Sequence, residues 1–194
     1  MKSNNPYFMY NDRALSYAEA TKELDMSALY ERFLPLIPSQ GTILDAGAGA
    51  GRDSLEFLNR GYQVVTMEPS SALATIAAQH TGHDVLNLSF QHMQMVEQFD
   101  GIWASASLLH VPPTELPEVF TRFEYALKPA GVVYYSFKYG SGVHMKNDLQ
   151  YSHLSIGDID LYIRNFKHVD QWITEDVRPD HSGEQWMNGI LRKT

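Results

Sequence analysis

The chain has 194 residues, about the length of one domain, and its 15 Lys and Arg against 23 Asp and Glu give a net charge of −8. A chain this acidic repels a phosphate backbone unless its basic residues are clustered, and here they are spread along the sequence. It contains no cysteine, which excludes thiol nucleophiles, disulfides and cysteine-based zinc sites. The composition therefore argues against a nucleic-acid partner and favours a reducing, cytoplasmic setting.

The sequence carries no sign of a secretion signal, a membrane span or a metal site. The first ten residues lack the apolar stretch of a signal peptide, and no run reaches the roughly 20 apolar residues of a membrane helix. His80 and His83 offer two metal ligands, whereas zinc normally takes at least three from the protein. We therefore expect residues 1–194 to form a single soluble domain without a metal and without a membrane partner.

Residues 1–40 predict two helices, which we expect to form a lid over a sheet core of residues 41–194. Asn11 or Asp12 can cap the first helix, and apolar residues follow at spacings of three and four. Pro35, with a second proline three residues later, ends the second helix.

Beyond the lid, short β-branched apolar runs alternate with helical patterns, which is typical of a parallel sheet with crossover helices. A last helix is expected near 156–165. Two final strand-like runs are joined by a polar turn that contains Pro and Gly, which indicates an antiparallel hairpin. We predict an α/β, Rossmann-like, doubly wound and mainly parallel seven-stranded sheet with this hairpin at its C-terminal end. The predicted strands are 41–45, 63–67, 84–88, 101–104, 132–137, 167–177 and 185–191.

A glycine-rich loop follows the first strand, which ends in Asp45, and Gly47, Gly49 and Gly51 alternate before the next helix. Ligands of open α/β sheets bind beyond the carboxyl ends of the strands, and glycines there let the backbone approach the ligand closely. The second strand ends in Glu68. An acidic residue roughly 20 residues beyond such a loop can accept both hydroxyls of a ribose. The pattern predicts an adenosine compound, either NAD or another cofactor.

Two details separate these cofactors. The third glycine, Gly51, comes one residue earlier than in the dinucleotide fingerprint. Asp45, just before the loop, would repel a pyrophosphate but suits an ammonium group, and S-adenosylmethionine carries an ammonium and a sulfonium but no phosphate. The charge pattern therefore favours this methyl donor.

Four segments, in order along the chain, resemble motifs of the class I S-adenosylmethionine-dependent methyltransferases. They are residues 43–54, 67–70, 99–112 and 127–131. Three shorter stretches are more narrowly similar to the tellurite-resistance-type branch of small bacterial methyltransferases. These are Gly-Arg-Asp-Ser at 51–54, Ser-Leu-Leu-His-Val-Pro at 107–112 and Ser-Phe-Lys-Tyr-Gly at 136–140.

The resemblance implies a set of cofactor-binding residues on the strand ends, the loops and the lid. They are Tyr10, Tyr17, Asp45, Gly47, Gly49, Arg52, Glu68, Pro69, Ser70, Phe90, Gln91, Ala104 and Ser105. Glu68 is expected on the ribose, Phe90 and Gln91 on the adenine, and Arg52 on the carboxylate of the donor. The loop glycines and Asp45 are expected around the methionyl part, and the two tyrosines on the lid.

The chemistry requires little more than placement, because methyl transfer from a sulfonium is an in-line displacement on an activated carbon. A thiolate or a reduced chalcogen anion needs no base, whereas a hydroxyl or a protonated amine does. His110, beyond strand four, is the candidate base, and anchoring of its own loop is the alternative role. We predict a small-molecule acceptor, such as a thiol or a chalcogen oxyanion product.

Other functions remain open at this point. A nicotinamide-dependent oxidoreductase fits poorly because of the glycine spacing and Asp45. A non-catalytic S-adenosylmethionine-binding protein shares the binding residues and differs in the chemistry. A methyltransferase acting on RNA or protein is disfavoured by the acidic charge and by the lack of an added recognition domain. Residues 141–155 lack the Arg- and Glu-rich run of the tellurite-resistance-type branch, so the acceptor is left open, as is the choice between monomer and homodimer.

Overall fold

The computed structural model describes residues 7–146 and 149–194, and nine strands in these two ranges form one sheet. The strands are β1 (Thr42–Ala46), β2 (Gln63–Met67), β3 (Val85–Leu86), β4 (Phe99–Ala104), β5 (Leu127–Tyr139), β6 (Gly142–Lys146), β7 (Leu149–Leu154), β8 (Phe166–Glu175) and β9 (Gln185–Lys193). The first five run parallel in the order β3-β2-β1-β4-β5, while β9 pairs antiparallel with both β5 and β8. The predicted fold class and the C-terminal hairpin are confirmed, but the described residues form nine strands and not the predicted seven. Residues 1–6 of the predicted lid lie outside the described residues.

The strands β6 and β7 form a further antiparallel hairpin, which the sequence patterns do not predict. β7 pairs in parallel with Lys138 and Tyr139 at the end of β5. β4 occupies one edge of β5 up to Tyr135, and β9 occupies the other edge as far as Lys138. The hairpin therefore extends the sheet just beyond the carboxyl end of β4, next to the edge where ligands of this architecture bind.

Helices cover both faces of the sheet. They are α1 (Tyr7–Asp12), α2 (Ala14–Thr21), α3 (Ser27–Phe33), α4 (Arg52–Asn59), α5 (Ser71–Thr81) and α6 (Leu116–Ala126). Successive strand residues point to opposite faces, so Ile43 and Trp103 pack with α3 and α4, while Leu44 and Ile102 pack with α6. Within the described ranges, no helix is both long and apolar enough to cross a bilayer.

The prediction of a helix near 156–165 is wrong. The chain makes only a short 3₁₀ turn there, Asp158–Leu161. Gly157 adopts a left-handed conformation with φ of +91°, and the Asp158 carboxylate accepts from the backbone N–H of Ser155 at 2.7 Å. Such a local bond between side chain and backbone competes with helix formation, so the segment turns into β8 instead.

The lid helices α1 and α2 are fastened to α5 through Asn11. Asn11 was predicted as a helix cap, but the residue at the cap position of α2 is Arg13, which makes no capping bond. Asn11 Oδ1 instead accepts from Ser70 Oγ at 2.7 Å and from the backbone N–H of Ala72 at 3.1 Å. Ser70 Oγ in turn accepts from the N–H of Leu73 and caps α5 as the sequence predicts. One amide side chain therefore joins the lid to the first turn of a core helix.

Replacing Asn11 by alanine should lower the free energy of unfolding by about 1 kcal/mol, because a helix-capping acceptor is lost at the start of α5. Urea unfolding followed by circular dichroism measures this difference. Asp12→Ala is the matched control, since Asp12 is the exposed neighbour in the same helix. Equal stability of the two variants would contradict the role of Asn11.

Candidate functional site

Two cavities lie side by side at the carboxyl edge of the sheet, one of about 50 Å³ and one of about 440 Å³. Predicted cofactor residues that line the smaller cavity are Tyr10, Tyr17, Gly47, Gly49, Glu68, Pro69 and Phe90. Those that line the larger cavity are Tyr10, Tyr17, Gly47, Arg52 and Ser105. The predicted base His110 lines both cavities. Most of the predicted set is therefore brought together in one place.

Four of the predicted cofactor residues line neither cavity. Ser70 is engaged in capping α5, and Ala104 is completely buried within β4. Gln91 donates through Nε2 to the carboxylate of Glu115 at 2.8 Å, beside the 3₁₀ turn that holds Phe90 in the cavity wall. The fourth is Asp45.

Asp45 is turned away from both cavities, although it directly precedes the glycine loop. It is 2% exposed, and its Oδ2 accepts from Ser54 Oγ at 2.6 Å on the face covered by α4. Burial and the negative charge of the nearby Asp53 raise the pKa of Asp45 above its usual range. The structure thus does not bring Asp45 to the position where the predicted contact with an ammonium group would be made.

The glycine loop lies against the end of β2, where Glu68 binds it. Gly47 has a φ of +84°, and a Cβ at this position would lie 2.5 Å from the Cβ of Ser107, so only glycine fits. The N–H of Gly49 donates to Glu68 Oε2 at 2.8 Å, and the N–H of Ser70 donates to Oε1 at 2.8 Å. Each carboxylate oxygen keeps a second lone pair. Glu68 can therefore hold the loop and still accept hydrogen bonds from a ligand.

Burial also affects the protonation of Glu68. The side chain is 6% exposed, and burial raises its pKa to about 7, even though the two backbone N–H donors act in the opposite direction. Glu68 therefore changes its charge near neutral pH, and hydroxyl donors from a ligand would favour the ionised form.

Asp53 is a site residue that the sequence analysis missed. Its carboxylate accepts from Tyr30 Oη at 2.5 Å, from Trp103 Nε1 at 2.7 Å, and from Arg52 through Nε at 2.6 Å and Nη2 at 2.9 Å. Burial alone would raise the pKa of Asp53, but the Arg52 guanidinium and these hydrogen bonds hold it below its usual range. Asp53 could have been identified from the sequence by its position in the Gly-Arg-Asp-Ser stretch, in the first turn of a helix, where a negative charge is stabilised.

Asp53 and the lid together fix the orientation of Arg52. The bidentate pair with Asp53 uses one edge of the guanidinium, and Nη1 donates to the backbone carbonyl of Thr21 at 3.3 Å. Arg52 reaches the wall of the larger cavity in this orientation. It keeps N–H groups that a carboxylate can accept from.

His110 lies on the boundary between the two cavities and makes two hydrogen bonds. Its Nδ1 is 2.9 Å from the backbone carbonyl of Gln150 in β7, and its Nε2 is 2.8 Å from Tyr10 Oη in α1. A carbonyl can only accept, so Nδ1 carries the proton and Nε2 of the neutral ring accepts. Burial lowers the pKa of His110, and the bond to Gln150 offsets this only in part. The imidazole is therefore neutral near pH 7 and has its basic nitrogen at Nε2.

An ion-pair network forms the outer wall of the larger cavity. Lys138 Nζ donates to Asp176 at 2.9 Å and also binds Glu184, while Arg178 donates to both oxygens of Asp176 at 2.9 and 2.6 Å. The ligand atoms of Asp176, His181 and Glu184 lie close enough to one another to hold a metal ion. Since Lys138 and Arg178 already neutralise these carboxylates, the group is explained as an ion-pair network.

Comparison with known proteins gives a match over most of the chain. The family model of a methyltransferase domain matches residues 17–175. An uncharacterized methyltransferase of Staphylococcus carnosus is 27% identical over 122 residues, which is 63% of this chain and 54% of that protein. One of Geobacillus kaustophilus is 26% identical over 117 residues, covering 58% and 54%. The chain thus spans about half the length of the curated relatives it matches.

Solved structures resemble the whole fold at low sequence identity. The 1,6-didemethyltoxoflavin-N1-methyltransferase of Burkholderia thailandensis, solved with bound 1,6-didemethyltoxoflavin and S-adenosylhomocysteine, has a TM-score of 0.77 at 23% identity and covers 96% of this chain and 84% of that chain. An S-adenosylmethionine-dependent methyltransferase of Anabaena variabilis has a TM-score of 0.76 at 15% identity and covers 100% and 96%. At these identities the likeness establishes the fold.

Asp53→Ala should lower the free energy of unfolding by about 3 kcal/mol, because it leaves the Arg52 guanidinium and two buried donors without their acceptor. Glu56→Ala in the same helix is the matched control. Glu56 pairs with Arg60 at the surface, where both side chains are 37% exposed, and such a pair contributes about 0.5 kcal/mol or less. Equal losses for the two variants, measured by urea unfolding, would contradict the central role of Asp53.

Proposed function

This chain belongs to the methyltransferase-domain family, and we propose that it transfers the methyl group of S-adenosylmethionine to a small molecule held in the 440 Å³ cavity. The family match confirms the predicted methyltransferase domain, and the use of S-adenosylmethionine is part of the proposal. The acceptor, the roles of individual residues and the narrower similarity to the tellurite-resistance-type branch belong to the proposal.

The observation that carries the proposal is the position and size of the larger cavity. Its volume of about 440 Å³ falls within the 300 to 1,000 Å³ typical of small-molecule pockets. The glycine loop and Arg52 form one wall, and the ends of β5, β8 and β9 form the opposite wall. The lid helix α2 and Met26, which precedes α3, contribute to the same lining. An acceptor in this cavity would lie beside the methionyl end of the donor, which is what an in-line displacement requires.

The residues around the smaller cavity, together with Arg52 in the wall of the larger cavity, fit the donor. Glu68 would accept the ribose hydroxyls, Phe90 would pack on the adenine, and Arg52 would receive the carboxylate. When bound, the donor supplies a methyl group that is already activated by a sulfonium. At about 50 Å³ the space at Glu68 is too small for an adenosine, and the ring of Tyr17 lies 3.2 Å from the position of a Cβ on Gly49. We therefore expect the lid to move outward when the donor enters.

His110 is the proposed base. Its neutral ring, with Nε2 as the hydrogen-bond acceptor, is in the state that can take a proton from an acceptor at neutral pH. This favours acceptors that carry a proton to lose, such as a thiol, a ring N–H or a hydroxyl. A thiolate or a reduced chalcogen anion, the acceptors predicted for the tellurite-resistance-type branch, would react without His110. A non-catalytic binding protein would take up the donor and transfer no methyl group.

Glu68→Gln should weaken binding of S-adenosylhomocysteine by roughly 10- to 100-fold, because a hydrogen bond to a charged acceptor contributes about 1.5 to 3 kcal/mol. In the unmodified protein, affinity should fall as the pH drops below about 7, since burial raises the pKa of Glu68 to about 7 and the protonated acid must ionise to accept both hydroxyls. The variant should lose this pH dependence. Calorimetric titration at pH 6 and pH 8 measures both effects.

Two controls accompany this titration. Glu56→Gln alters an exposed carboxylate of α4 and should leave the affinity unchanged. NAD should not bind. Unchanged affinity in Glu68→Gln, or tight binding of NAD, would contradict the assignment of the donor site.

His110→Asn should lower the rate of methyl transfer to proton-bearing acceptors by about 100-fold or more, with little change in donor affinity, because it removes a general base. The assay follows radiolabelled methyl transfer to 2-mercaptoethanol, catechol and benzimidazole. His144→Asn, in the exposed hairpin, is the control and should behave like the unmodified protein. Donor binding without transfer to any acceptor would favour the non-catalytic alternative.

A further inference from the structure

The hydroxyl of Tyr10 is hydrogen-bonded to His110, and both residues line the cavity in which the acceptor would bind. Tyr10 lies in α1 and lines both cavities, and its Oη is 2.8 Å from His110 Nε2. The phenol ring packs edge-to-face against Tyr17, with ring centroids 5.3 Å apart, and against the imidazole of His110, with ring centroids 5.5 Å apart. Its position is therefore set by the lid on one side and by the proposed base on the other.

The position of the ring proton of His110 determines which group donates in the hydrogen bond between Tyr10 and His110. Nδ1 of His110 must donate to the carbonyl of Gln150, so Nε2 accepts, and the proton between Tyr10 and His110 is the phenolic one. The basic lone pair of His110 is thus already occupied by Tyr10. Tyr10 Oη still has a lone pair of its own. Both ring nitrogens of His110 are engaged in hydrogen bonds, so a proton leaving an acceptor would pass to this oxygen and not directly to the imidazole.

We propose that Tyr10 is a catalytic residue that relays the proton of the acceptor to His110. The inference rests on the proposed function. As the lone pair of the acceptor attacks the methyl carbon and the carbon–sulfur bond of the donor breaks, the proton of the acceptor passes to Tyr10 Oη. The phenolic proton passes at the same time to His110 Nε2. The products are the methylated acceptor, the neutral thioether and a protonated imidazole, and Tyr10 is regenerated in the same step.

The surroundings of Tyr10 suit a relay in which the phenol never carries charge. Burial raises the pKa of Tyr10 well above its usual range, and the neighbouring Tyr17, Tyr151 and Glu68 act in the same direction. A free phenolate is therefore disfavoured, and the two protons must move together. Tyr151, whose ring centroid lies 4.8 Å from that of His110, also interacts with Tyr10 through a side-chain hydrogen bond.

The relay also links the lid to the chemistry. Tyr10 belongs to α1, whereas His110 follows β4 and Gln150 lies in β7. In the lid position seen here the three groups form one hydrogen-bonded chain. Proton transfer would thus require the bond between Tyr10 and His110 to be kept, or formed again, after the lid has moved to admit the donor.

The test compares Tyr10→Phe with the unmodified protein in the full-length chain, using 2-mercaptoethanol as acceptor over a range of pH. Tyr10→Phe keeps the ring and removes only the hydroxyl. Below the pKa of the thiol we expect a rate at least about 100-fold lower, the contribution typical of a positioned proton-transfer group. Above the thiol pKa the defect should disappear, because the thiolate has no proton to lose. Tyr125→Phe, at a residue that is 63% exposed in α6, should change neither rate.

Two results would overturn the relay. An equal loss at every pH would mean that the hydroxyl only supports the lid, and no loss at any pH would mean that the proton takes another route. Nitrogen NMR of His110 in the complex with S-adenosylhomocysteine gives a reading that needs no acceptor. Removing the donor to Nε2 should raise the pKa of His110 in Tyr10→Phe, and identical titration in both proteins would also overturn the proposal. Failure of the unmodified protein to methylate any acceptor would contradict the proposed function instead.

Discussion

The carboxyl edge of the sheet, where the candidate site lies, depends on the burial of one carboxylate, Asp53. A charge that is 6% exposed is costly unless it is paired and hydrogen-bonded, and here Tyr30, Arg52 and Trp103 all donate to it. These donors come from α3, α4 and β4. Satisfying a single charge therefore fixes two helices against the central strand and holds Arg52 in the cavity wall. The site is rigid on this side because the core itself requires it.

The lid is attached in a different way. The buried residues of α2 are Ala14 and Ala18, which have small side chains, while Leu15 is 73% exposed. Much of the attachment is polar, through Asn11 and through the bond from Arg52 to a lid carbonyl. Water can replace such bonds at little net cost, whereas apolar burial is lost outright when a helix lifts. A lid built in this way can open to enlarge the narrow space at Glu68 while the core stays intact.

Local patterns predicted the parallel sheet, the terminal hairpin and the strand ends that carry Glu68 and His110. Side-chain direction was harder to predict. Asp45 has the same parity as Ile43 and shares its face, so it lies under α4 and not in a cavity. The β6–β7 hairpin was not predicted, for a different reason. Val143 and Met145 alternate with His144 and Lys146, but the run is short and follows Gly140 and Gly142, which are typical of a loop, and every residue of Gly142–Lys146 is exposed. Asp53 was missed because two of its partners, Tyr30 and Trp103, are distant in sequence.

That unpredicted hairpin has a chemical consequence. The carbonyl of Gln150 is the group that forces the proton of His110 onto Nδ1 and leaves Nε2 as the acceptor. With the opposite tautomer, Nε2 would carry hydrogen and could receive none from Tyr10. Gln150, in the stretch where this chain departs from the branch it resembles, therefore sets the protonation state of the proposed base, and its neighbours Leu149 and Tyr151 line the proposed acceptor cavity. Altering this hairpin would change the chemistry of the site while leaving Glu68 and the glycine loop untouched.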